Sequence, residues 1–207
     1  MNSVVISTGD CDDNQPIHEF ALKNKIPLYA GSEMDLIDRF YKTALFFEAD
    51  AIVRITGDCP LVDPKIVDQL VSEYVDNSNL FDIVRNSKTH SFPHGLEVEV
   101  YSLSSLKKMW DLIKQPELRE WFPFFIDKNP ELFRIKEIKN QEDLSQHRWT
   151  LDYPEDYEFV KKVYSFLYSE LKMFYMDDIL NLLKKEPSLT QINSKYVGHH
   201  NIGAPSI

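Results

Sequence analysis

Two aspartates far apart in the chain stand where a strand ends and a helix is about to begin. Asp58 lies in Arg54-Ile55-Thr56-Gly57-Asp58-Cys59-Pro60-Leu61, and Asp152 in Arg148-Trp149-Thr150-Leu151-Asp152-Tyr153-Pro154-Glu155-Asp156. In open α/β sheets that edge is where ligands bind. Two such carboxylates brought together suit a hard divalent cation held against phosphate, which points to phosphoryl or nucleotidyl chemistry. A structural reading competes at each position. Asp58 also fits a turn aspartate satisfied by backbone N–H groups. Asp152 also fits a helix cap, with Glu155 and Asp156 as acidic first-turn residues. Asp63, directly before Pro64, reads as a helix cap.

Other side chains extend the set. Glu97 and Glu99 are two apart on a predicted strand, so both point to one face. They bind sugar hydroxyls in one reading and face water in the other, and the alternating pattern favours water. His94 beside Gly95 is a loop histidine, a type more often exposed than catalytic. Arg54 and Arg148 can offset phosphate charge or neutralise nearby aspartates. His199-His200 has no acidic or cysteine neighbour in sequence, which argues against a metal site there. No nucleophile elbow is present, and the six glycines form neither a G-x-G-x-x-G nor a P-loop pattern.

The elements that must position these residues follow from hydrophobic spacing. Strands are predicted at 4–7, 26–29, 51–55, 81–84, 96–101, 133–138 and 149–151. Helices are predicted at 16–25, 32–47, 64–75, 103–113, 117–127, 154–167 and 176–185. The stretch 85–95 reads as a long polar loop. Strands alternating with helices argue for an α/β fold whose mostly parallel sheet is covered on both faces. The alternating strand at 96–101 departs from this and is expected as a half-exposed antiparallel inset. Residues 1–187 are expected to form a single domain, followed by a polar, loosely ordered tail at 188–207.

Composition narrows the function classes. With 207 residues, 43% of them hydrophobic, the chain is long enough to bury a core. A net charge of −10 makes nucleic acid a poor partner. The two cysteines, Cys11 and Cys59, make neither a zinc pattern nor a disulfide framework and fit a reducing cytoplasm. No apolar run approaches the roughly 20 residues of a membrane span, so no membrane partner is expected.

At these motifs the chain resembles the cytidylyltransferase-like proteins of spore-coat polysaccharide biosynthesis, relatives of the CMP-sugar synthetases that include the acylneuraminate and KDO enzymes. The resemblance runs from about Val4 to Leu167. It is carried by Val5-Ile6-Ser7-Thr8, Gly31-Ser32-Glu33, Asp38-Arg39-Phe40-Tyr41, the two aspartate motifs and His94-Gly95-Leu96-Glu97-Val98-Glu99-Val100. It implies a three-layer, Rossmann-like nucleotide-diphospho-sugar transferase fold. The implied reaction is attack of a sugar oxygen on the α-phosphate of CTP with loss of pyrophosphate, for surface polysaccharide. By the same resemblance Asp58 and Asp152 hold Mg²⁺, Thr8, Thr56 and Gly57 line the nucleotide pocket, and His94, Glu97, Glu99 and Arg148 face the sugar. The resemblance and the inset strand make a homodimer a reasonable assembly.

Two departures accompany the resemblance. The family opens with a strand, a phosphate-wrapping loop and a helix, so roughly 40 residues are expected to be missing before Met1, which leaves a gap between the strands at Val4 and Ala51. At Glu120-Trp121-Phe122-Pro123 the histidine frequent in the family after the glutamate is replaced by tryptophan. Two alternatives stand beside transfer from CTP. One is a non-catalytic relative that keeps the fold as a binding module. The other is a glycosyltransferase of related architecture, for which the sole D-x-D is Asp10-Cys11-Asp12.

Overall fold

The computed structural model describes residues 3–200. Its elements run β1 (Ile6–Gly9), α1 (Gln15–Asn24), β2 (Leu28–Gly31), α2 (Leu36–Phe46), β3 (Ala51–Arg54), α3 (Pro64–Asp76), β4 (Ile83–Arg85), β5 (Glu99–Ser102), α4 (Leu103–Leu112), α5 (Pro116–Glu120), α6 (Phe122–Lys128), β6 (Ile135–Glu137), α7 (Pro154–Leu167) and α8 (Met176–Lys185). Short 3-10 turns at Pro187–Gln191 and Ser194–Tyr196 follow α8. No helix among the described residues is long and apolar enough to cross a membrane.

Strands β1 and β2 form a parallel pair, and β3-β5-β4-β6 form a second sheet. In that sheet β5 runs antiparallel to both β3 and β4, while β4 and β6 are parallel. The antiparallel inset is therefore real, but it is central rather than half-exposed. All four of its residues are buried, because neighbours pair on both edges and helices cover both faces. Strands β1 and β3 lie in separate sheets.

Side-chain alternation on β4 and β5 divides the core into two layers. Val84 and Val100 face a cluster built with Leu70 of α3, Phe159 of α7 and Leu182 of α8. Ile83 and Tyr101 face the opposite cluster, with Ile37 of α2, Leu106 and Met109 of α4 and Phe122 of α6. Helices thus sandwich the sheet, and burying aliphatic and aromatic side chains on both faces stabilises this arrangement.

Three expectations change. The predicted helix at 117–127 is two helices broken at Trp121, because Pro123 cannot continue the first helix but fits the opening turn of the second. Residues 149–151 form no strand. The Trp149 N–H donates to the His94 carbonyl at 2.7 Å and the Leu151 N–H to the Asp58 carbonyl at 2.9 Å, so the pairing is divided between two segments and no ladder forms. The stretch after Pro187, expected to be loose, folds onto the domain as far as residue 200 and buries Leu189 and Asn193. The remainder of that predicted tail, 201–207, lies outside the described residues.

Asp63 does more than cap α3. One oxygen accepts from the Lys65 N–H at 2.7 Å and the other from the Met176 N–H at 2.6 Å, where α8 begins. One buried carboxylate therefore ties together two helices distant in sequence. Asp63→Ala is expected to lower stability by about 2 kcal/mol in urea unfolding, the upper end for an N-cap, because two backbone N–H donors at the starts of two helices lose their acceptor. A change no larger than that of a surface alanine substitution would remove this role.

Candidate functional site

A cleft of about 430 Å³ opens at the end of the four-stranded sheet, lined among others by Thr56, Asp58, His94, Glu97, Glu99 and Asp152. Two close approaches assemble it. The Asp58 carbonyl accepts from the Leu151 N–H at 2.9 Å and from the Thr150 hydroxyl at 3.2 Å, which places the two aspartate loops side by side. Gly95 makes the second approach. Its φ is +105°, and a Cβ there would lie 2.6 Å from the backbone of Trp149 and Thr150. Only glycine permits both that conformation and that proximity, so the His94-Gly95 turn sits against the Asp152 segment.

Both aspartates keep an uncommitted oxygen. Asp58 Oδ1 accepts from the Thr56 hydroxyl, and Asp152 Oδ2 accepts from Arg148 Nη2 at 2.5 Å. Neither Asp58 Oδ2 nor Asp152 Oδ1 takes a hydrogen bond among the described residues. No group of three or more cation-binding side chains occurs among the described residues. Two carboxylates with free oxygens on one cleft nevertheless suit Mg²⁺, which keeps several waters and relies on substrate phosphates for other ligands.

Arg148, expected to face substrate, lies behind the cleft wall at 2% exposure. Its guanidinium binds both oxygens of Asp156, reaches Asp152 and donates to the His199 carbonyl at 2.9 Å. Asp156, read from sequence as a dipole residue, is fully buried and is the counter-charge of Arg148. Burial works against its charge, but hydrogen bonds from Arg148 and Asn193 and from the Asp152 and Tyr153 backbone outweigh it and hold its carboxyl below the usual range. The arrangement fixes the loop that carries Asp152.

A second charged assembly crosses the sheet. Arg54, Glu99, Arg85 and Glu137 stand in register on β3, β5, β4 and β6, so charges alternate along one row. Arg54 reaches Glu99 at 2.7 Å, and Arg85 reaches Glu137 at 3.1 Å and Asp127 at 2.6 Å. Ser87 donates to the remaining Glu99 oxygen at 2.7 Å. Glu99 is thus not a solvated strand residue. Burial raises its carboxyl, but the charge of Arg54 and hydrogen bonds more than compensate and keep it ionised.

The other expected residues divide. Thr56 lines the cleft, whereas Thr8 is buried in β1, donates to Asn14 and is not on the cleft wall. Gly57 is exposed, and a Cβ there would meet nothing within 4 Å, so no steric demand selects glycine. The buried Cys59 thiol is pushed well up by burial and by Asp58, which leaves it a poor nucleophile. Sequence reasoning missed Arg85, Ser87, His90, Asp127, Asp156 and His200. Only Arg85 carried a usable signal, an arginine closing β4 as Arg54 closes β3.

Comparison with known proteins agrees with this geometry. A family model described as cytidylyltransferase matches residues 1–185. The chain is 32% identical over 198 residues to an uncharacterized protein of Methanocaldococcus jannaschii, covering 94% of this chain and 78% of that one. It is 26% identical over 189 residues to the spore coat polysaccharide biosynthesis protein SpsF of Bacillus subtilis, covering 90% and 76%. Among solved structures, a cytidylyltransferase from Leptospira borgpetersenii superposes with a TM-score of 0.87 at 35% identity, covering 91% of this chain and 78% of that one. A CMP:2-keto-3-deoxy-manno-octonic acid synthetase solved with CTP shares the fold, with a TM-score of 0.53 at 16% identity over 80% and 81%. The chain belongs to the cytidylyltransferase family.

Proposed function

We propose that this protein transfers a cytidylyl group from CTP to a sugar oxygen with release of pyrophosphate, in the making of surface polysaccharide. The observation that carries the reading is the meeting of Asp58 and Asp152 on one cleft, joined through the Asp58 carbonyl and the Leu151 N–H, each with a free carboxylate oxygen. These two residues would hold Mg²⁺, which would supply positive charge against the phosphates as pyrophosphate leaves.

The protein's own groups supply position and field. Thr56 orients Asp58, and Arg148 orients Asp152. The Arg54–Glu99 pair closes the floor with its charges mutually satisfied. Such preorganised groups lower a barrier because they need no reorganisation as charge moves. SpsF is named for spore coat polysaccharide biosynthesis, and that relative supports the polysaccharide setting.

The test is a calorimetric titration of CTP into the protein with and without Mg²⁺. Saturable binding that requires Mg²⁺ is expected. A folded sample that binds no CTP in either condition would overturn the reading and favour a non-catalytic relative.

A further inference from the structure

The geometry points to Asn193 as a positioning residue for the cation-binding end of the cleft. By holding Asp156 and the Arg148 segment in one arrangement, it aims the open oxygen of Asp152 and so sets how tightly a divalent cation is bound there. The inference rests on the cytidylyl-transfer reading above and assigns a task to the segment 193–200, which that reading leaves without one.

A relay of hydrogen bonds runs from the interior to the cleft. Asn193 is buried, and its amide uses both donors. One goes to the Arg148 carbonyl at 2.9 Å and the other to Asp156 Oδ1 at 2.8 Å. Asp156 in turn receives the Arg148 guanidinium on both oxygens, and Arg148 Nη2 reaches Asp152 Oδ2 at 2.5 Å. The relay is dry until its last member. The side chains of Arg148 and Asp156 are 1% and 0% exposed, and that of Asp152 is 26% exposed. Hydrogen bonds to ionised groups are short and strong, and they strengthen where water is excluded. An anchor of that kind fixes the rotamer of the exposed carboxylate on which it ends.

Helix capping does not account for Asn193. The start of α7 is closed without it, since Asp156 Oδ2 accepts from the Asp152 and Tyr153 N–H groups. Asn193 binds the other oxygen, the one it shares with Arg148 Nε. With that bond present, both oxygens of Asp156 have several fixed partners, and the guanidinium that leans on them is held toward Asp152. Without it, Oδ1 keeps only Arg148 Nε at 3.0 Å, and the Arg148 carbonyl loses a donor in the loop that leads to Asp152.

The rest of the segment keeps Asn193 in place. Tyr196 stacks on Tyr153, ring centroids 3.7 Å apart and 7° from parallel. Lys195 meets Glu155 at 2.6 Å, and the Tyr196 hydroxyl donates to the same carboxylate at 3.2 Å. The His199 carbonyl accepts from Arg148 Nη1 at 2.9 Å. The segment then reaches the cleft wall, where His200 stacks on His90 with centroids 4.4 Å apart. A segment that only covered the core would bury apolar side chains, as the preceding turn does with Leu189. Within 193–200 the buried residue is the polar Asn193, and the contacts of its neighbours fall on the stretch that carries Asp152. Groups that hold a metal-binding side chain from behind typically change metal affinity or activity about 10–100-fold when removed.

The experiment titrates CTP into the protein by calorimetry at a series of Mn²⁺ concentrations, Mn²⁺ standing in for Mg²⁺, beside a thermal melt. In Asn193→Ala the Mn²⁺ concentration that gives half of the gain in CTP affinity is expected to rise about tenfold or more, while CTP affinity at saturating Mn²⁺ returns close to that of the wild type. Leu189→Ala is the control for general loosening. It truncates an apolar anchor of the preceding turn, so it is expected to lower the melting transition and leave the Mn²⁺ dependence unchanged. Should Asn193→Ala not fold, Tyr196→Ala, which removes the stack on Tyr153, is expected to shift the Mn²⁺ dependence in the same direction. An unshifted Mn²⁺ dependence in the folded variant overturns the inference, and so does an equal shift in Leu189→Ala. Wild-type CTP binding that ignores Mn²⁺ overturns it too. A folded wild-type protein that binds no CTP at any Mn²⁺ concentration overturns the parent reading instead.

Discussion

Asp152→Asn is expected to lower pyrophosphate release on the order of a thousandfold while leaving the fold intact. A divalent cation held by these carboxylates would supply several kcal/mol of transition-state stabilisation, and each 1.36 kcal/mol is tenfold in rate. Asparagine keeps an oxygen that can still accept from Arg148, so the loop stays anchored. What is lost is the negative charge and the carboxylate oxygen left open to the cleft. Asp58→Asn is expected to do the same, since the Thr56 hydroxyl retains its partner. The paired measurement is a thermal melt beside a pyrophosphate assay. Near-normal turnover in both variants would remove the metal role from both residues.

The largest effect on stability belongs to Asp156. Asp156→Ala leaves the Arg148 guanidinium buried at 2% exposure with its main counter-charge gone. Breaking one side of a buried pair typically costs about 3–5 kcal/mol, because the remaining charge is desolvated and unpaired. Asn193 and the backbone N–H groups of Asp152 and Tyr153 lose their acceptor as well. Replacing both partners with apolar residues is expected to cost less than the single change, and a double-mutant cycle in urea measures the difference. Additive losses would show that the two side chains are not coupled.

The same pair sets a pH dependence. The Asp156 carboxyl in the folded protein lies below its ordinary value of 3.8. Its contribution is therefore complete above that value and is lost as pH falls through the lower folded value. Acid unfolding should weaken in Asp156→Ala, because a carboxylate that must be protonated is no longer there.

The local elements were legible because their determinants are local. The periods of α7 and α8, and the Asp63-Pro64 start of α3, appear at or within a residue of where spacing put them. The cap, the proline and the amphipathic stripe all lie within one or two turns of one another. The antiparallel inset was legible as an alternating run, but its burial was not. Alternation in Leu96 to Tyr101 reads as one wet face, yet Glu99 on that face is dry because Arg54 and Ser87 reach it from other segments, while Glu97 opens onto the cleft.

The candidate site divides along the same line. Asp58 and Asp152 could be named from motif and strand-end position alone. That they share a cleft depends on a hydrogen bond spanning more than ninety residues and on a glycine packed against a distant backbone. Arg148 stands in the same motif as Asp152, yet the fold turns it inward onto Asp156 and leaves the outer oxygen of Asp152 to the cleft. Short-range pattern records which residue types are available and which elements carry them. Which charges meet, and which remain free for a ligand, is settled only when segments far apart in sequence exclude water from one another and each buried ion takes the nearest partner.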